Sequence, residues 1–431
     1  MTKLHFNYKD IFRAFRLGFS AKKIWVGFEG LLFGWLGYMV LGYLAYLVSG
    51  TSLEAVWENF RLLPMPDAVA SLPAFNVGGW ILWAVGVVWL IFVAMTAGIA
   101  ISKLTYEQLR GDEFYEVKEA WKQALKSLGA LIATPVLLGL FVILLLAAGL
   151  LLGLIGRIPF AGEMIVGLLV IPAFAVALFV VYLIVVFFFT FTIGPAVIGT
   201  TKSDAFDNLF EVFSCVNDQP WRLIWYQFML VIFAIVGMVI LAFFSVKALQ
   251  LGRWIAGILM NVGEVKASAQ VFYKLDLMIN SAADTVRLLL PRWVEQALFW
   301  LPNWVHNAFG WIKGAVDLPS LVSSKAAMVP NWSAMVGTIL FSIAYHAFIL
   351  LVLAYGMAIW FSGNTLVYLV LARKKDERNL LEIKEEEIEI PEKLEVTTPA
   401  EEPEKKAPKK TAAKKKPAAK KKPVAKKPKK K

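Results

Sequence analysis

Residues 128–153 read LGALIATPVLLGLFVILLLAAGLLLG, a run without a single charged side chain. A hydrocarbon core of about 30 Å takes roughly 20 helical residues to cross, and this run exceeds that length. Five further stretches have the same character, near 24–48, 79–101, 165–190, 224–246 and 338–371. In lipid an isolated strand would leave its backbone groups unpaired, so each run is expected to be a helix. The ten-residue alternating segments of a membrane β-barrel are absent. The reading is an all-α, polytopic membrane protein with six transmembrane helices, amphipathic interfacial helices and a disordered C-terminal tail.

Composition agrees. Of 431 residues, 58% are hydrophobic and 18% charged, whereas soluble domains are about a quarter charged. This disfavours a soluble enzyme, a disulfide scaffold and a free nucleic-acid-binding domain. One cysteine, Cys215, cannot form an internal disulfide or a cysteine-based zinc cluster. The three histidines, His5, His306 and His346, are far apart in sequence. No metal site, cofactor or catalytic residue is expected: there is no phosphate loop, HExxH or nucleophile elbow.

Short loops rich in Lys and Arg mark the cytoplasmic side. Residues 1–23 carry Lys3, Lys9, Arg13, Arg16, Lys22 and Lys23, and the loop after the second span carries Lys103, Arg110, Lys118, Lys122 and Lys126. The first and third loops hold only Arg61 and Arg157; the chain leaves the last span at Arg373-Lys374-Lys375. Basic and poor loops alternate, which places both termini in the cytoplasm of a cell with this protein in its inner membrane.

The approaches to spans one, three and five are alike. Asn7-Tyr8-Lys9-Asp10, Asp112-Glu113-Phe114-Tyr115-Glu116 and Ser203-Asp204-Ala205-Phe206-Asp207 each open an amphipathic stretch. Such starters cap helices and suit the helix dipole. Apolar residues such as Ile11, Phe12, Phe15, Phe19, Ala120, Leu125 and Leu128 would then face the lipid boundary. The alternative is a set of ordinary cytosolic loops. With Pro220-Trp221-Arg222 running into a span, this pattern resembles uncharacterised bacterial six-span membrane proteins. It is also similar to the membrane domain preceding some glycerophosphodiester phosphodiesterases. The resemblance covers roughly 100–240 and carries no catalytic residues, so that activity is not implied.

Within the membrane domain, 1–371, an outer insertion at 247–333 is rich in tryptophan: Trp254, Trp293, Trp300, Trp304, Trp311 and Trp332. Trp favours the headgroup level, so short helices on the outer leaflet are expected, as a collar, a lid or a dimer contact. Glu29, near the cytoplasmic mouth of the first span, is placed to pair with Lys22 or Lys23. Gly30-x-x-x-Gly34 and Gly149-x-x-x-Gly153 would permit close helix approach. Pro135, Pro172 and Gly194-Pro195 are candidate kink sites.

Thr338, Ser342 and His346 fall at four-residue spacing with Tyr345 adjacent, forming a polar intramembrane stripe. It reads either as a hydrated path or ligand contact, or as an interhelical hydrogen-bonded histidine. The apolar run 334–371 would be about 57 Å long as one helix. With Arg373 at the inner interface, His346 lies at the outer one; a break at Ser362-Gly363-Asn364 would move it to the middle.

Residues 372–404 form an acidic cytoplasmic linker with 12 acids and 6 bases. Residues 405–431 hold 15 lysines, no acid and otherwise Ala, Pro, Thr and one Val. Nothing bulky is available to bury, so disorder is expected. The composition resembles the tails of linker histones and bacterial histone-like proteins. Lys409, Lys410, Lys414, Lys415, Lys416, Lys420, Lys421, Lys422, Lys426 and Lys427 are the candidate polyanion contacts, for DNA, RNA or anionic lipid. A merely solubilising tail is the plainer reading. The functional expectation is a non-enzymatic tether or assembly factor in the lipid bilayer. The alternative is a small-solute transporter or channel between the helices.

Overall fold

The computed structural model describes residues 4–60, 63–66, 74–260, 264–267, 270–273, 275, 278–279, 282, 332–376 and 379–382. Eleven helices occur among them: α1 Tyr8–Ile11, α2 Arg13–Gly18, α3 Ala21–Val48, α4 Leu53–Phe60, α5 Val77–Arg110, α6 Val117–Lys126, α7 Leu128–Ile155, α8 Ala161–Thr201, α9 Ala205–Asp218, α10 Pro220–Met260 and α11 Trp332–Asp376. Six of them, α3, α5, α7, α8, α10 and α11, are long and apolar enough to cross a membrane. This is a multi-pass helical membrane protein. The four lysine-rich blocks of the tail and Trp293, Trp300, Trp304 and Trp311 lie outside the described residues.

The three approach segments are helices, each separated from the following span by a short break. Asn7 accepts from Lys9 N at 2.9 Å and makes a capping box with Asp10. Asp204 accepts from Asp207 N at 3.0 Å. Glu116 occupies the third cap without a side-chain bond. Pro220 starts α10 where a missing N–H costs nothing.

The long helices form three hairpins, α3/α5, α7/α8 and α10/α11, and the returning members α5, α8 and α11 pack on one another. Short helices α6 and α9 lie on the return helices of the hairpins before them, α5 and α8, and α2 lies on α11, the return helix of the last hairpin. Such closure needs bare surfaces. A methyl on Gly199 of α8 would come within 2.8 Å of Ser102 Cβ on α5, and one on Gly18 of α2 within 2.7 Å of Ile359 Cα on α11. Gly363 meets Ala14 one turn further along, so α2 runs lengthwise beside α11. Ile11 is 1% exposed and Ala120 is fully buried, both in protein rather than at a lipid boundary; Phe12, Phe19 and Leu125 do remain exposed.

Burial is concentrated at the end of the bundle where Leu4 and Leu380 lie. There α5 is buried from Met95 to Leu109, α8 from Phe189 to Thr200 and α11 from Ala354 to Ala372, with few exceptions. Leu4 and Leu380 pack on the same core cluster, so the two ends of the described chain lie together. At the other end the α7/α8 hairpin exposes Leu144, Leu150, Leu168 and Ile171. In water such apolar surface would be untenable; in hydrocarbon it is ordinary. Exposed tryptophans sit toward both ends, with Trp25 and Trp221 at one and Trp80, Trp254 and Trp332 at the other.

The link between α3 and α5 folds back against them. Tyr38 donates to Pro64 O at 2.6 Å and accepts from Trp83 Nε1 at 3.1 Å, while Tyr46 donates to Met65 O. Beyond α10, β1 Glu264–Ala267 pairs antiparallel with β2 Gln270–Tyr273, Val265 opposite Phe272. This small hairpin replaces helix at that point between α10 and α11, because Val265, Val271, Phe272 and Tyr273 favour a pleated surface. Pro135, Pro172 and Pro195 all lie inside unbroken helices.

Candidate functional site

The polar stripe lies on α11, which runs unbroken through Ser362-Gly363-Asn364. The break that would relocate His346 is therefore not present. Thr338 donates to Ala334 O at 3.0 Å and Ser342 to Thr338 O at 2.9 Å, each one turn back. His346 Nδ1 stands 2.6 Å from Ser342 O, and since a carbonyl can only accept, Nδ1 carries the proton. Nε2 is buried and meets no partner among the described residues. Tyr345, 6% exposed, turns instead into a cluster with Leu275, Ile279, Ala282, Leu249 and Phe341. The four predicted residues are thus near neighbours on one helix, with Tyr345 on a different face.

A second polar region, invisible as a pattern in the sequence, knots the end where Leu4 and Leu380 lie. Lys23 is 2% exposed, and its Nζ donates to Leu17 O at 2.9 Å and Gln108 Oε1 at 2.8 Å. It thereby caps the end of α2 and ties α3 to α5. Lys103 pairs with Glu107 at 2.6 Å, and Arg110 stands 3.6 Å from the other Glu107 oxygen. Both cations lie 5.5 Å from the Tyr106 ring. Thr105 and Ser362 share a hydrogen bond of 2.9 Å between α5 and α11, and Gln227 donates to Asn364 at 2.5 Å between α10 and α11. Asn208 of α9 donates to Thr134 of α7 at 3.1 Å. Paired hydrogen bonds of this kind join helices where the hydrophobic effect cannot.

Glu29 does not meet the neighbouring lysines. It accepts from Trp121 Nε1 of α6 at 2.7 Å, while Lys22 donates to Glu113 O and Tyr115 O at 3.0 and 3.1 Å. Both contacts hold α6 against α3, a distance in sequence that loop reading does not bridge.

The chain beyond α11 starts from a fixed point. Tyr106 donates to Leu380 O at 2.7 Å, Leu381 is 5% exposed, and Lys375 reaches Glu211 of α9 at 3.4 Å. Arg373 lies 5.8 Å from the Phe6 ring. The candidate polyanion contacts from Lys409 to Lys427 are outside the described residues. Among those described, no three His, Cys, Asp or Glu side chains converge as a metal site would need.

The chain matches no family model, no curated protein and no solved structure.

Proposed function

We propose that this protein is a non-enzymatic membrane anchor whose lysine-rich tail engages polyanions on the cytoplasmic face of the inner membrane. The observation that carries the reading is the composition of 405–431, with 15 lysines and no acid. Such a segment attracts any dense array of negative charge. For nucleic acid the attraction is independent of sequence and falls steeply with salt. Near an anionic leaflet each lysine gains about 1 kcal/mol. The tight seat of Leu380 and Leu381 supports a tethering role, since a tether needs a firm root. The acidic stretch at 372–404 supports an extended spacer, because like charges repel.

The test places the full chain, and the chain lacking 405–431, in nanodiscs of neutral phosphatidylcholine. Labelled duplex DNA and anionic vesicles are titrated at two salt concentrations. The full chain should bind at low salt and lose affinity steeply as salt rises; the truncated chain should not bind. A full chain that binds neither probe at low salt defeats the reading. The alternative, a small-solute path, has the His346 stripe as its support. The close packing of α5, α8 and α11 at one end weighs against it.

A further inference from the structure

We infer that the α11 stripe is a binding site for a neutral, hydroxyl-bearing group, specifically a vicinal diol. The chemistry follows from which protons are already committed. Thr338 and Ser342 have each donated their only hydroxyl proton to a carbonyl of their own helix. His346 has donated from Nδ1 to Ser342 O. What the stripe still offers is therefore acceptors alone: lone pairs on Thr338 Oγ1 and Ser342 Oγ, and Nε2 of a neutral imidazole. Nε2 is buried and unpartnered among the described residues. Leaving such an acceptor unmet is unfavourable, and a donor would recover that loss.

An acceptor-only surface rejects anions, which bring no proton to share. It would suit an ammonium group in chemistry but not in charge. Among the described residues, α10 and α11 carry Lys247 and Arg253 and no acid between Leu223 and Ala372, and the positive field of Arg253 reaches Tyr345 on the same helix as the stripe, which disfavours a cation there. A neutral hydroxyl meets both conditions. Ser342 and His346 are one turn apart, about 6 Å along the axis, and adjacent hydroxyls can reach one acceptor each. The same diol chemistry exists in a phosphatidylglycerol headgroup and in free glycerol. This inference is independent of the tail.

The experiment uses the full chain with ¹⁵N-labelled histidine in nanodiscs. Only three imidazoles are present, and His346 is assigned by comparison with His5→Gln and His306→Gln, which leave the stripe intact. Nε2 is read in phosphatidylcholine, phosphatidylmethanol and phosphatidylglycerol discs, and in phosphatidylcholine with added glycerol. An upfield shift of Nε2 in phosphatidylglycerol but not phosphatidylmethanol identifies a lipid diol, since the two lipids share their charge. A shift with glycerol in phosphatidylcholine identifies a free polyol. An unchanged resonance throughout, an equal shift in phosphatidylmethanol, or a proton found on Nε2 would overturn the inference.

Discussion

Tyr106, near the end of α5, and Leu380, just beyond α11, are joined by a 2.7 Å hydrogen bond from phenol to backbone carbonyl. The ring is 1% exposed and has Lys103 and Arg110 each 5.5 Å from its centre. The bond is a direct polar link between the first hairpin and the root of the tail. Tyr106→Phe keeps the ring and its cation contacts while removing the donor. The loss should be about 1 kcal/mol. Local opening at the root should accelerate trypsin cleavage at Lys375 roughly fivefold. An unchanged cleavage rate would show that packing of Leu381 alone holds the root.

The Lys103–Glu107 pair is nearly inaccessible, with side chains 2% and 9% exposed. Breaking a buried pair leaves an uncompensated charge and typically costs 3–5 kcal/mol, whereas replacing both partners with apolar groups is often neutral. Glu107→Gln should therefore lower thermal stability in detergent far more than the double replacement Lys103→Met, Glu107→Leu. A double variant as unstable as the single one would contradict this account.

Glycine positions divide by their surroundings. Gly199→Ala forces a methyl to 2.8 Å from Ser102 Cβ and 2.9 Å from Ile99 O, and overpacking of this kind costs roughly 1–3 kcal/mol. Gly149 and Gly153 have nothing within 4 Å of an added methyl. Alanine there should instead stabilise the helix by up to about 1 kcal/mol. Melting temperatures of the single variants would settle both signs, and destabilisation by Gly153→Ala would reveal a packing partner on that face.

Lys22 and Lys23 are adjacent yet unequal. Lys23→Met removes the buried donor to Leu17 O and Gln108 and should cost about 1–3 kcal/mol. Lys22, exposed, donates to two backbone carbonyls at the surface, where substitution effects usually stay near 0.5 kcal/mol. Denaturation of the two methionine variants side by side should show that order.

Hydropathy made the six spans legible, and the cap residues Asn7 and Asp204 marked where two of the short helices begin. Their packing was not legible. Amphipathicity says that Ile11 and Ala120 seek an apolar surface; it does not say whether that surface is lipid or another helix, and here it is α11 and α5. Charge proximity along the chain suggested Lys22 or Lys23 for Glu29. An indole from α6 took the place instead, because the fold brings Trp121 within 2.7 Å. The stripe from Thr338 to His346 was visible from spacing alone. Which of its protons are spent depends on hydrogen-bond geometry that spacing does not contain. Similarly, Gly149-x-x-x-Gly153 and Gly30-x-x-x-Gly34 look alike as motifs, yet only the second lies against a neighbouring helix, where Gly30 meets Ala97.

The lengthwise contact of α2 with α11 has a consequence for biogenesis. The α2 segment leaves the ribosome well before α11, against whose Ile359 Gly18 closes. Until α11 is made, α2 waits without its final neighbour, so closure of the bundle is coupled to insertion of the sixth apolar helix. Quality-control proteases that sample unfinished chains would find their target in that interval, at α2.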